Sequence, residues 1–306
     1  MLVILGVVSF GTWAPYVSNY NDGFAIGKIS STLTGQPAWE VAPLAPEAQQ
    51  QIERILDQRF FYLGKGAQCY AFASHDGCYV LKLFKHQHLA FPGWFMQLPL
   101  PPALDRLRHA SAERKQKKIE TLFQSYKIAF EHLSEETGVI DVHLNKGYCH
   151  SRPVILVDKL GHQHSLGIGN FEFVVQKKAD PLTQKIIQLM EAGNVASAKT
   201  IVQNAFALVY QRCRKGFIDT DPAFLQNYGV DGLQVIQVDA GRIQYDEGLL
   251  RNPQRQHERT LEETRQLLSW CQSLYPMLVG DLLLNIDREN SALSDSLGRE
   301  LAPCTL

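Results

Sequence analysis

Between residues 214 and 243 the chain gathers the side-chain types that phosphoryl transfer needs. Asp219 and Asp221 are followed by Asn227, a turn at Asp231-Gly232, a β-rich run over 233–238, and Asp239-Ala240-Gly241. One acid can orient an attacking hydroxyl, while an amide and a second acid hold Mg2+ against phosphate oxygens. Far upstream, Gly64-Lys65-Gly66 stands between two β-rich runs, where a missing Cβ lets backbone N–H groups approach phosphate closely. Lys82 lies inside Val80-Leu81-Lys82-Leu83-Phe84, and an ammonium within a β-run must face solvent or find an anion.

The elements that must position these groups follow from periodicity. Phe60-Phe61-Tyr62-Leu63, Cys69-Tyr70-Ala71-Phe72-Ala73 and Cys78-Tyr79-Val80-Leu81-Lys82-Leu83-Phe84 are β-rich runs. Glycine marks the first turn and Asp76-Gly77 the second, which predicts an antiparallel meander. Residues 86–110 hold Pro92, Pro99, Pro101 and Pro102 and read as an irregular insertion. From Ser111 a long helix is expected, because Ile119, Leu122, Phe123, Tyr126, Phe130 and Leu133 recur at three- and four-residue steps. Short strands at 154–157 and 171–175 flank a polar hairpin at Gly161-His162. Pro181 opens a helix, and a second helix carries Val202, Ala205, Phe206, Val209 and Cys213 on one stripe. After the acid-rich loop, residues 261–284 are helical again, interrupted by Pro276. Strands, helix, strands and then a helical half make an α+β fold.

Taken together, the motifs resemble those of the protein-kinase-like superfamily over about residues 58–285. Leu63-Gly64-Lys65-Gly66 is similar to its glycine-rich loop, Lys82 to its β3 lysine, Asn227 to its catalytic-loop asparagine, and Asp239-Ala240-Gly241 to Asp-Phe-Gly with the aromatic replaced. The family's third glycine falls on Cys69, its usual valine on Ala71, and the His-Arg that precedes its base is absent. The resemblance implies a two-lobed fold, with a β-rich N-terminal lobe over 47–178 and a helical lobe over 179–286. It implies ATP and Mg2+ held between the lobes. Gly64, Lys65, Gly66 and Lys82 would meet phosphates, Glu120 of the long helix would anchor Lys82 (with Glu113 and Glu131 at similar angles), and Gln176 to Lys178 would meet the adenine edge. Asn227 and Asp239 would hold the metal. Asparagine lies eight residues after Asp219 and six after Asp221, so either acid is a candidate base. Asp219, which precedes the restraint of Pro222, is the favoured one. The alternative is a pseudokinase that binds without catalysis.

Composition bounds the rest. The 306 residues include Lys+Arg 30 against Asp+Glu 31, a balance without the basic excess of a nucleic-acid-binding surface. Six scattered cysteines without a C-x-x-C pair argue against zinc and against a disulfide framework. His86, His88, His162 and His164 read as surface-turn residues. The uncharged run 1–17 is a candidate signal or membrane anchor, residues 18–46 a linker and 287–306 a loose tail, giving a cytoplasmic or membrane-associated protein. The phosphate acceptor, protein or small molecule, is not written in the sequence.

Overall fold

The computed structural model describes residues 21–31, 33–86, 93–147, 150 and 152–280; the apolar run 1–17, His88 and the tail 287–306 lie outside them. It is a mixed α+β protein whose chain divides into two compact units. The first holds the residues up to Ser134 together with Val139–Lys178, and the second holds Glu135–Gly138 and the residues from Ala179 onward.

The first unit is built on one sheet. Its elements are α1 (Ile26–Ile29), α2 (Pro46–Leu56), β1 (Arg59–Lys65), β2 (Cys69–Ser74), β3 (Tyr79–Phe84), α3 (Gly93–Gln97), α4 (Pro102–Glu131) and, after a single turn α5 (Ser134–Thr137) whose last three residues belong to the second unit, β4 (Val139–His143), β5 (Val154–Val157), β6 (Gln163–Leu166) and β7 (Phe173–Lys177). The strands run in the order β4-β7-β3-β2-β1-β5-β6. All neighbours are antiparallel except β1 and β5. The predicted meander is therefore present, as β1-β2-β3.

Alternation divides this sheet into two faces. Phe60, Tyr70, Phe72, Leu81, Leu83, Phe173 and Val175 share one core with Ile52, Ile55 and Leu56 of α2 and with Phe24 and Ile29. On the other face Phe84 meets Phe123 and Tyr126 of α4, ring centroids 5.1 and 5.4 Å apart. Lys82 pairs in register with Ala71 and Val174, and so alternates onto the α4 face.

Three expectations need correcting. Residues 21–46 are not a linker: Phe24, Ile29 and Trp39 are buried, and Trp39 packs edge-on against Phe123 at 4.9 Å. The insertion 86–110 is in large part helical, because α4 begins at Pro102, where the missing N–H of a first-turn proline costs no hydrogen bond. His86 is no surface residue. It is buried with Nε2 2.9 Å from Glu172 Oε2.

The second unit comprises β8 (Asp180–Pro181), α6 (Leu182–Glu191), α7 (Val195–Arg214), β9 (Phe217–Asp219), α8 (Phe224–Asn227), β10 (Tyr228–Asp231), β11 (Gln234–Gln237), β12 (Ile243–Tyr245) and α9 (Pro253–Leu274). Asn194 caps α7 through Ser197 N at 3.2 Å, and Asn252 caps α9 through Arg255 N at 2.9 Å. The cap and Pro253 start α9 eight residues before the expected 261. The buried stripe of α7 (Ala198, Ile201, Val202, Ala205, Leu208, Val209) packs with Leu182 and Ile186 of α6, Tyr228 and Val230 of β10, and Leu267 and Cys271 of α9.

Glycine has opposite meanings at two positions. A Cβ on Gly229 of β10 would come within 2.7 Å of Ala179 Cβ and 3.0 Å of the Asp180 carbonyl, whereas one on Gly64 would have nothing within 4 Å. Gly229→Ala should therefore lose on the order of 1–3 kcal/mol of stability through overpacking, with Gly64→Ala within about 1 kcal/mol of the parent. Urea unfolding of both variants checks this, and equal midpoints would refute it.

Candidate functional site

In the second unit the central stretch is built onto a network around a buried cation. Arg212 sits on the apolar stripe of α7, fully buried. Its guanidinium donates to the Tyr228 hydroxyl (2.8 Å), to Gln237 Oε1 and to Glu263 Oε2. Burial works against its charge, but Tyr228, Glu263 and Asp219 outweigh burial and hold its pKa above the ordinary arginine value. Glu263 of α9 uses its other oxygen to accept from Asp219 N (3.2 Å) and from Arg259 Nε (3.1 Å). Arg259 also donates to the Asp219 carbonyl at 3.1 Å. The strand end β9 is thereby fixed to both helices.

This network absorbs Asp219. Its Oδ2 accepts from Gln237 Nε2 at 2.7 Å and its Oδ1 from Asp221 N at 2.9 Å, and the residue is buried. Burial pushes its carboxyl up to about 6, against the opposing pull of Arg212 and the Asp221 amide. Asp221 is differently placed. It is half-buried, its Oδ1 accepts from Ala223 N (3.0 Å), and its Oδ2 lies 3.5 Å from Arg242 Nε. With Pro222, Arg259, Glu262, Arg265 and Gln266 it lines a hollow of about 550 Å³ beside α9, which Asp219 also borders. Of the two acids, Asp219, favoured because Pro222 restrains its neighbour, is the buried one, and Asp221 is the more exposed.

Asn227 and Asp239 are held side by side through the backbone. The Asn227 carbonyl accepts from Val238 N (2.7 Å) and from Asp239 N (3.2 Å), and Asp239 Oδ1 accepts from Gly241 N (3.1 Å). Gln237 Nε2 reaches the Asp239 carbonyl at 3.0 Å, joining this corner to Asp219. Asn227 is buried, and its Nδ2 has no hydrogen-bond partner. A turn about χ2 would put the amide oxygen in that place. An orphaned amide beside an exposed carboxylate fits a hard cation that takes oxygen ligands. Among the described residues no group of three or more His, Cys, Asp or Glu could hold a metal. A cation here would take one carboxylate and one amide and complete its shell with water and phosphate, as Mg2+ does.

In the first unit, Gly64 and Lys65 end β1 beyond a register shift after Tyr62, and Gly66 begins the turn, with Gly66 N donating to the Cys69 carbonyl at 3.0 Å. Lys65 Nζ lies 3.6 Å from Asp22 Oδ1. The buried Lys85 donates to the Gly66 carbonyl from above the Tyr70 ring, 4.5 Å from its centroid. Lys82 is half-buried on β3. Gln176 is buried in β7, paired in register with Val80 and Val139, and Lys178 N donates to the Cys78 carbonyl at 2.8 Å. Glu120 is exposed on α4 and accepts from Gln116 Nε2 at 2.9 Å, Glu113 is exposed too, and Glu131 lies 4.0 Å from Lys127. The anchoring role expected of Glu120 has no geometric support.

Sequence reasoning missed Arg212, Gln237, Glu263 and Arg259. A signal for the first was available: Arg212 occupies a position of the stripe that Ala205, Leu208 and Val209 occupy one and two turns earlier, so it had to be buried and paired. Nothing local marks Gln237 or Glu263.

Two measurements test this wiring. Arg212→Leu leaves Glu263 with an unpaired buried charge and should cost about 3–5 kcal/mol in urea unfolding; a near-neutral result would refute the network. For Asp219 the sign follows from linkage. Its pKa is about 6 in the fold against an ordinary 3.8, so between those values the folded state holds more protons than the unfolded one. Stability therefore falls as pH rises from about 4 to about 6. Relative to Asp219→Asn, the parent should lose on the order of 3 kcal/mol across that window. Asp141, also pushed up to about 6 by burial, is present in both proteins and cancels. Parallel stability–pH curves would refute the assignment.

Compared with known proteins, the chain matches no family model and no curated sequence.

Proposed function

We propose that the chain is an atypical kinase-like phosphotransferase that uses Mg-ATP. The observation that carries this reading is the Asn227–Asp239 corner. Backbone hydrogen bonds from Val238 N and Asp239 N to the Asn227 carbonyl hold a residue with an orphaned side-chain amide next to one with an exposed carboxylate, with the half-exposed Asp221 on the preceding loop. Supporting it from the first unit are a glycine turn with open space over Gly64 and a lysine on the third strand of the meander. The helix α4 packs on that lysine's face of the sheet.

In this reading Gly64, Lys65 and Gly66 cover phosphate, Lys82 holds it, and Asn227 and Asp239 take Mg2+, which neutralises charge on the phosphate oxygens. Asp221 accepts the proton of the acceptor hydroxyl. The acceptor oxygen bonds to the γ-phosphorus, the bond to the β–γ bridging oxygen breaks, and ADP leaves. Asp219 stays within the buried network and positions the loop. Glu120 has no part.

Mg-ATP at a hundredfold excess over its dissociation constant should stabilise the parent by ~2.7 kcal/mol. Asp239→Asn and Gly64→Ala should both shrink that gain, the second without altering the stability of the ligand-free protein. Asp221→Asn should lower ATP turnover by about 10²–10⁴-fold, the span a general base supplies, and keep nucleotide binding. Binding of Mg-ATP without turnover by the parent would instead identify a pseudokinase. No thermal shift at millimolar Mg-ATP would remove the nucleotide reading altogether.

A further inference from the structure

The helix α4 is longer than the core it serves. Residues 104, 107, 111, 115, 118, 122, 126 and 129 fall at three- and four-residue steps and form one continuous stripe along it. The last three, Leu122, Tyr126 and Ala129, are buried against the sheet. The first five (Leu104, Leu107, Ser111, Lys115 and Lys118) are not: the helix runs on from Ile119 back to Pro102, more than four turns beyond its apolar core. Leu104 is 52% and Leu107 62% exposed. A buried arginine makes a fixed surface of this end. Arg108 pairs with Asp105 and donates to the carbonyls of Phe95 (2.8 Å) and Leu98 (2.7 Å). That clasp holds α3 and its following turn, which carries Leu98 at 40% exposed, against α4.

Charge identifies the partner. From Pro102 to Lys118 six arginines and lysines face two acids, in a chain whose formal net charge is −1. Asp105 is taken up by Arg108, which leaves Glu113 against Arg106, Arg114, Lys115, Lys117 and Lys118. Exposed leucines at the tip of a helix followed by a dense cationic track are the composition of an interfacial element. The leucines enter the headgroup boundary while the long cationic stems reach the phosphates. We propose that α3 and the first half of α4 dock the protein on an anionic lipid surface. This is independent of the nucleotide reading and of the apolar run 1–17.

The test is sedimentation of the full chain with vesicles of phosphatidylcholine alone and with phosphatidylserine added at about 2:1. The expected result is binding to the anionic vesicles only, reversed by high salt. Leu104→Ser/Leu107→Ser and Arg114→Gln/Lys115→Gln/Lys117→Gln/Lys118→Gln should each weaken it by about tenfold or more. Of the replaced side chains only Lys115 is half-buried and the rest are exposed, so both variants should stay folded, which thermal melting checks. Failure to bind anionic vesicles overturns the proposal. So does binding that neither set of substitutions reduces, since another segment would then be responsible. Capture of an acidic peptide or a nucleic acid by a chain that ignores the vesicles overturns it as well.

Discussion

The second unit depends on one buried guanidinium. Removing a cation from water is costly unless several fixed acceptors surround it, and Arg212 finds them on three other elements: Tyr228 on β10, Gln237 on β11 and Glu263 on α9. Each of these would itself be a costly buried polar group without the arginine. The charge therefore stabilises little by itself, but it makes one relative placement of α7, the hairpin and α9 far better than any neighbouring one. The loop that leaves β9 inherits that placement, because Glu263 reaches on to Asp219 N and Arg259 to the Asp219 carbonyl.

A division of labour between two neighbouring acids follows. Asp219 is buried with both carboxylate oxygens accepting, and burial raises its pKa to about 6. Asp221, two residues on, lies at a hollow, with one oxygen accepting from Ala223 N and the other near Arg242. Spacing to Asn227 favoured Asp221, and the restraint of Pro222 on it turned the preference to Asp219. The hydrogen bonds show that both oxygens of Asp219 are taken up within the fold, while Asp221 accepts from Ala223 N and stays half-buried at the hollow.

Legibility in the sequence followed the range of the interactions. The meander was readable because glycine turns and period-two runs are local, and α7 because its stripe repeats within twenty residues. The burial of Phe24 and Trp39 was not, because their partners Tyr70, Phe72 and Phe123 lie roughly 50 to 80 residues away and the intervening composition reads as loop. Four prolines hid the start of α4, though Pro102 is a favourable first-turn residue. Asp219, Asp221, Asn227 and Asp239 were singled out from type and order, and the structure places them on one strand end, loop and hairpin of the second unit. Gln237 and Glu263 were invisible, since their role exists only once a hairpin and a distant helix converge on Arg212.

The same wiring decides what is free to move. Asn227 and Asp239 share backbone hydrogen bonds, so a cation meeting both would meet a preformed pair and would not have to gather two loops. Asp221 is held more loosely. Its contact with Arg242 is 3.5 Å between partly exposed side chains, a kind of pair worth roughly 0–1 kcal/mol in water. Moving Asp221 away from that arginine costs little beyond its hydrogen bond from Ala223 N, whereas drawing Asp219 out would strip hydrogen bonds from both Gln237 and the Asp221 amide. A loop built this way keeps its frame rigid and leaves one carboxylate adjustable, and the adjustable one faces the hollow.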